Sequence, residues 1–492
     1  MIRRVGPAFA LATGALLALV STAFAGGVML KQISSDPFTN TTAIDGVAVF
    51  HKTQEEPDTF AFGSTIVSAF QVARFHNGGA DDIGWATSSD GGKSWKHGFL
   101  PGLTFQGGDK TIPYERVSDA SVAFDARDNV WLISSIPLLS NLVVPTVFVS
   151  RSSDGLNWSN PVSIPQPPRA PIDLDKNWTV CDNTLGSPHY GNCYTEFDNF
   201  ALDDLEQMST STDGGATWSL PLATANSAHG LGGQPLVQPN GNVVVPFESI
   251  HGTIGAFTST NGGASWNASV IVAHIDFHRV AGQLRTSPLP TAEVDGAGTV
   301  YVAWEDCTFE PGCPANDIVF SSSSDGVNWS GLSRVPADPI GSGVDHFIPG
   351  LGVNKATSGS SAQLALTYYY YPNAACTVAT CQLDAGFISS SDGGAHWGGK
   401  VQLAGPMNNT WLAFTTQGYM VGDYISTSFF ISGLALTTIA VASAGTATQN
   451  LDEAMFAPSM ALAVSGGGAA SDQSAASTTS NMANAPVPPT NR

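Results

Sequence analysis

Polar side chains recur at the starts of otherwise apolar, strand-like runs along this chain of 492 residues. They are Asp119, then Asp173, Asp175 and Lys176, then Gln234, Arg285, Asp345 with His346, and Asp423 with Tyr424. Core packing gives no reason for carboxylates there. Converging carboxylates can act as general acid and base in glycosidic cleavage, so Asp119, Asp175 and Asp423, with Tyr424 beside them, form the candidate catalytic set. Arg285 is the candidate substrate clamp, because a planar guanidinium matches a planar anion. Lys176, Gln234, Asp345 and His346 are further candidate binding groups. Acid–base chemistry of this kind requires no cofactor. The same carboxylates also suit one hard cation, Ca²⁺. The alternative is that they satisfy backbone groups at strand starts and bridge neighbouring segments through buried water.

The elements that would position these residues are announced by a repeat. Ser88-Ser89-Asp90-Gly91-Gly92-Lys93-Ser94-Trp95 returns as Ser152–Trp158, Ser211–Trp218, Ser259–Trp266, Ser323–Trp329 and Ser390–Trp397. In each, an Asp or Asn accepts backbone N–H bonds just ahead of it and Gly supplies the positive φ of a reversal. A Trp then sets a large apolar plate beside the turn. Each box reads as a hairpin turn joining two outer strands, with its Trp wedged between neighbouring sheets. Six such turns, 48 to 67 residues apart, predict an all-β chain built as a radial repeat of four-stranded sheets, a β-propeller.

These boxes resemble the Asp-box repeats of the sialidase (neuraminidase) superfamily, over roughly residues 30–460. The resemblance implies a propeller with its boxes at the outer rim, away from the active site. It also implies an exo-acting glycoside hydrolase with three arginines on a substrate carboxylate, a Tyr nucleophile assisted by a Glu, and an Asp as acid/base. Tyr424 stands in the last unit, where the nucleophilic Tyr is expected. Leu284-Arg285-Thr286-Ser287-Pro288 is weakly similar to the Arg-Ile-Pro motif, but in the fifth unit rather than at the start of the chain. Arg74, Arg116 and Arg279 are the other candidate clamp members. A non-catalytic propeller binding glycan or protein, with a structural or Ca²⁺-loaded polar ring, is the competing expectation.

Six units run from Thr65 to Trp95, Ser121 to Trp158, Lys176 to Trp218, Gln234 to Trp266, Pro290 to Trp329 and Pro349 to Trp397. A seventh, boxless unit follows, with Met420–Ile425 and Leu434–Ala440 as strands. Val28–Ile33, an orphan strand, would complete it and leave no open edge. Seven blades closed between the two ends of the chain are expected, with six as the alternative. Residues 1–25 have the pattern of a signal peptide: Arg3 and Arg4, an apolar run, then Ala23-Phe24-Ala25. Residues 26–460 form the propeller, and 461–492 are a Gly/Ala/Ser/Pro-rich disordered tail.

Removing Arg3 and Arg4 takes the formal charge from −21 to −23. So acidic a body repels nucleic acid and anionic membranes, no mature segment is apolar enough to span a bilayer, and a secreted or periplasmic monomer acting on glycans is expected. The cysteines fall as near neighbours: Cys181 with Cys193, Cys307 with Cys313, and Cys376 with Cys381. In an exported protein an even count reads as disulfides, local pairing being the simplest of the fifteen connectivities, with a metal site as the competing reading. The histidines show no metal-ligand spacing. In Tyr368-Tyr369-Tyr370-Tyr371, strand alternation predicts two rings packed inward and two facing solvent, where they could stack on a sugar.

Overall fold

Short β-branched and aromatic runs, each cut by a Gly, Asp or Asn turn, fold into antiparallel sheets. The computed structural model describes residues 24–25, 27–446 and 449–466. Most of the expected leader and most of the expected tail therefore lie outside the described residues. Sheet 1 comprises Val49–Phe62, Thr65–Phe75, Ala80–Ser88 and Lys96–Phe99; sheet 2 comprises Arg116–Asp125, Val130–Leu138, Phe148–Ser152 and Val162–Ser163. A single bridge, Ala80 to Val117, links these two. Sheet 3 (Leu174–Cys181 to Leu222–Ala223), sheet 5 (Thr291–Val294 to Ser333–Arg334) and sheet 6 (Asp345–Val353 to Val401–Asn408) repeat the four-stranded plan. Sheet 4 departs from it: Gly230–Leu231 and Leu236–Val237 share the edge of Val243–Ser249. Helix is limited to three single 3₁₀ turns among the described residues.

After sheet 6 come two small hairpins, Ala413–Thr415 with Gly418–Met420 and Thr427–Phe429 with Ala435–Thr437. Ile439–Thr446 then pairs with Gln449–Pro458, and that strand pairs with Val28–Gln32 from the other end of the chain. The first strand of each sheet packs on the first strand of the next, with Leu236–Val237 in that place in sheet 4, and Thr427–Phe429 packs on both Asp345–Val353 and Val49–Phe62.

Side chains staple these inner strands to one another. Asp58 accepts from Val122 N–H at 2.7 Å, Ser121 from Thr179 N–H at 3.1 Å, and Gln234 from Ala292 N–H at 2.8 Å. Thr291 accepts from Leu351 N–H at 3.1 Å, the Thr427 hydroxyl donates to Gly350 O at 2.8 Å, and Ser426 accepts from Thr59 N–H at 2.6 Å. Such bonds satisfy backbone groups left unpaired where one sheet ends and the next begins. The apolar core lies between sheets rather than in one mass, as in the cluster of Ala123, Leu132, Val149, Phe197 and Trp218 between sheets 2 and 3.

The boxes fold as their residues predict. In Ser211–Trp218, Ser211 and Thr217 donate to Asp213, and Gly215 N–H reaches the Ser211 hydroxyl at 2.9 Å. Gly215 sits at φ 75°, where its Cβ-free backbone lies against Leu132 of the preceding sheet. Trp218, Trp266 and Trp397 are buried.

The cysteines pair as near neighbours, and each bond ties down a short loop. Cys181 bonds Cys193 across the first two strands of sheet 3, with Cα atoms 4.0 Å apart. Cys307 bonds Cys313 just beyond Val300–Asp306 of sheet 5, and Cys376 bonds Cys381 just ahead of Gln382–Ser390 of sheet 6. All six are thus engaged in disulfides.

Four readings shift. The first unit begins one strand earlier than expected, at Val49–Phe62, because Glu55-Glu56-Pro57-Asp58 hides a strand behind loop-like composition. In the last unit the strand is Thr427–Phe429, and Asp423 and Tyr424 lie in the segment entering it. All four tyrosines of Tyr368–Tyr371 are buried, since their strand is covered by neighbouring sheets on both faces. Residues 461–466 still dock, through Leu462 on Ala435 and Ser465 on Ser389.

Candidate functional site

Four inner strands carry a bulge at corresponding places, each with a non-glycine residue in the left-handed region: Glu56 (φ 54°), Asp119 (φ 52°), Lys176 (φ 32°) and Ile348 (φ 50°). Such residues cost of order 1 kcal/mol or more and collect where a side chain must be re-aimed. Three of the four are charged, and they come within electrostatic reach of one another at one end of the inner strands, the mouth of the site.

Arg285 reaches this mouth from the connection between sheets 4 and 5. Its Nε donates to Asp423 Oδ1 at 2.8 Å and its Nη2 bonds Oδ2, a bidentate pair that is only slightly exposed. Burial opposes the guanidinium charge, but Asp423, Glu56 and Asp119 more than offset it and hold Arg285 above its ordinary value. Asp423 N–H donates to Glu56 Oε1 at 3.3 Å, Gln71 also donates to Glu56, and Arg74 donates to Gln71 at 2.6 Å. Burial, with Asp119 and Asp423 nearby, pushes the Glu56 carboxyl well above the usual range.

Lys176 lies across the mouth with its Nζ 3.4 Å from the Tyr424 ring centroid and 4.7 Å from that of Trp178, a cation–π seat. The Tyr424 hydroxyl donates to Ala120 O at 3.2 Å. Burial and the surrounding Glu56, Asp119 and Asp58 hold that phenol protonated, well above its ordinary value. Asp119 is buried, and burial plus the neighbouring Asp175 and Asp423 push its carboxyl up to about 6. Asp175 is only half-buried and accepts from Lys176 N–H at 3.0 Å.

The structure thus brings Arg285, Asp423, Tyr424, Asp119, Asp175 and Lys176 together. Gln234 lines the channel but spends its carbonyl on Ala292. Asp345 and His346 lie away from the mouth, between sheets 5 and 6. Asp345 accepts from Asn316 N–H at 2.8 Å, and His346 Nε2 is 3.0 Å from Asp338. Arg116, a possible clamp member, is fully buried against Phe75, Asp45 and Glu115.

Missed by the sequence were Glu55 and Glu56 on the hidden strand, Glu196 on Cys193–Asn199 inside the third unit, and Trp178 and Glu305 on or beside recognised strands. Their signal was a carboxylate or a large ring inside an apolar alternation. Glu196 and Glu305 are fully buried and held well above the usual carboxylate range by that burial.

A cavity of about 10 Å³ is lined by Lys176, Trp178, Gln234, Asp423 and Tyr424, and one of about 30 Å³ by Asp58, Trp178, Gln234, Glu293 and Ser426. These two cavities admit one or two waters. Among the described residues no group of three or more His, Cys, Asp or Glu side chains is arranged to hold a metal ion.

No protein family and no curated protein matches the chain. Solved structures similar to it include a protein of Dyadobacter fermentans (15% identity, 69% of this chain and 96% of that one, TM-score 0.46). A polysaccharide lyase, an ulvan lyase, is 12% identical over 86% of this chain and 94% of its own, with a TM-score of 0.48. The NanB sialidase of Streptococcus pneumoniae is 12% identical over 87% of this chain and 71% of its own, with a TM-score of 0.42.

Proposed function

We propose that this chain is a secreted, carbohydrate-active β-propeller of seven blades that cleaves a glycosidic bond with a carboxylate pair at the channel mouth. Seven inner strands packed each on the next, and the pairing of Val28–Gln32 with Gln449–Pro458, support the count and the closure. Three disulfides, and the absence among the described residues of any helix long and apolar enough to cross a membrane, fit an extracellular setting.

The observation that carries the catalytic assignment is the contrast between buried Asp119, held at about 6, and half-buried Asp175 beside it. A carboxyl that stays protonated into mildly acidic pH and a second one nearer to solvent are the two roles glycoside hydrolysis needs. Asp119 protonates the leaving oxygen, and Asp175 acts at the anomeric carbon, directly or through water. Arg285 and Asp423 fix the wall of the site. Tyr424 has its hydroxyl spent on Ala120, so its ring serves to carry Lys176 and to position the pair.

Release of product from a panel of aryl glycosides and oligosaccharides tests this. Asp119→Asn and Asp175→Asn should each lower kcat by roughly 10²–10⁴-fold with an unchanged melting temperature, while Tyr424→Phe keeps most of the activity. Full activity in both Asp variants would sink the assignment. Loss in Tyr424→Phe alone would return the nucleophile to Tyr424.

A second reading, a glycan-binding propeller without turnover, is favoured by the engaged guanidinium of Arg285 and the water-sized cavity. Binding of a glycan by the wild type with no cleavage anywhere in the panel would select it.

A further inference from the structure

The hairpin Ala413–Thr415/Gly418–Met420 wears its residues inside out. Its inward face carries Ala413, Thr415 and Met420, all buried, as a supporting face should. Its outward face carries Phe414, 43% exposed, with Tyr419 directly across the ladder, ring centroids 4.8 Å apart. The strip continues through His76, 6.2 Å from Phe414, to Phe50, 6.1 Å further on. A water-facing position on a two-stranded hairpin ordinarily takes a polar residue, and a contiguous aromatic strip there marks a contact surface.

The strip is held rigidly. Thr416 N–H donates to His76 O at 2.9 Å, and the His76 ring meets Phe414 O at 2.6 Å. On the other side Tyr419 N–H donates to Gln283 O, and Arg285 N–H to Tyr419 O, both at 2.8 Å. The ladder that fixes the strip therefore also fixes Arg285 at the channel mouth.

We infer that this strip is a carbohydrate subsite, taking neutral pyranose units of a chain whose next unit reaches the mouth. The inference rests on the carbohydrate part of the proposed function, not on its catalytic part. A pyranose presents C–H groups on its face and hydroxyls at its edge, and here aromatic rings are bordered by the exposed side chains of Gln283, Thr416 and Gln417. The strip offers four rings, the footprint of a short oligosaccharide rather than of a protein partner, whose interface buries some 800 Å² per side. No Lys or Arg belongs to the strip, and the net charge of −21 opposes polyanions.

Affinity electrophoresis in native gels cast with galactomannan, xyloglucan, mixed-linkage β-glucan or dextran tests the inference, with alginate as the anionic comparison. At least one neutral polysaccharide should retard the protein. Phe414→Ala and Tyr419→Ala should each weaken retardation roughly tenfold, the scale of one lost stacked ring, at an unchanged melting temperature. No retardation by any neutral gel, retardation by alginate alone, or retardation that survives the double variant would overturn it. So would a concentration-dependent dimer abolished by Phe414→Ala, which would give the strip to a second copy of the chain. Retention together with an inactive wild type leaves the subsite standing and removes the catalytic reading. Turnover of short glycosides without retention does the reverse.

Discussion

Aspartate does opposite things at the rim and at the centre of this molecule. In the box at Asp90, hydrogen bonds from Ser94 lead, in water, and the carboxyl is held down at about 2. Asp154 and Asp325 are likewise lowered by backbone N–H groups of their own turns. On and behind the inner strands burial leads instead: Glu55, Asp58, Glu206 and Glu248 are pushed up to about 7, and Asp119 and Asp345 to about 6. The rim shows a carboxylate acting as local scaffold, satisfied within five residues. The centre shows carboxyls kept neutral or paired by partners drawn from several sheets, which is where acid–base chemistry becomes available.

Acidity is the strongest lever on that difference. Each raised inner carboxyl ionises in the unfolded chain near pH 4 but in the folded chain only near 6 or 7. Its penalty is therefore absent below pH 4, grows as pH rises, and is complete above about 7. The depressed rim carboxylates work in the other sense: their contribution is present above pH 4 and disappears as pH falls toward 2. The melting temperature should peak between about pH 4 and 5.5 and fall by roughly 10 °C or more by pH 8. A flat calorimetric profile from pH 4 to 8 would break the comparison. Glu305→Gln keeps an acceptor for Ile348 N–H and removes an ionisable group, so it should flatten the alkaline limb.

Next in size is the Arg285–Asp423 pair. Arg285→Met strands a largely buried carboxylate and should cost about 3 kcal/mol in urea unfolding, most of it recovered by adding Asp423→Leu. Equal stability of the single and double variants would show the two side chains uncoupled. At the rim, Asp213→Ala should cost only about 1 kcal/mol, the loss of a turn cap. Asp213→Asn should cost less than half of that, because Asn261 already holds the same place in its own box, accepting Ser265 N–H at 3.0 Å. A cost for Asp213→Asn equal to that of Asp213→Ala would mean that charge, not turn geometry, holds the box.

What was legible in the sequence follows the same division. The boxes, the disulfides and most strands were readable because their partners are sequence neighbours: Ser211, Asp213, Gly215 and Thr217 satisfy one another, and Cys307 needs to reach only as far as Cys313. The pairing of Val28–Gln32 with the C-terminal strand was readable from an orphan strand at one end and an incomplete unit at the other. The centre was readable only in part. Asp119, Asp175, Lys176, Arg285, Asp423 and Tyr424 stood out as polar residues at strand starts, but Asp345 and His346 share that pattern and serve the seam between two sheets. Glu56 escaped because a strand containing Glu-Glu-Pro-Asp reads as loop, and only Gln71, Arg74 and Asp423, brought in from afar, make that strand tolerable. Phe414 and Tyr419 escaped because aromatic alternation predicts a ring's burial, whereas Tyr368–Tyr371 drew attention and proved to be core.

The pairing of Leu30 with Pro458 also sets an order in time. Val28–Gln32 has Phe24–Ala25 as a neighbour on one edge, but its other edge must wait for Gln449–Pro458, and at ~5–20 residues per second that wait is roughly half a minute. Through that interval its edge and the face it will cover are open to any passing strand. Sheltering residues 28–32 until Gln449–Pro458 is made should therefore raise the yield of folded protein.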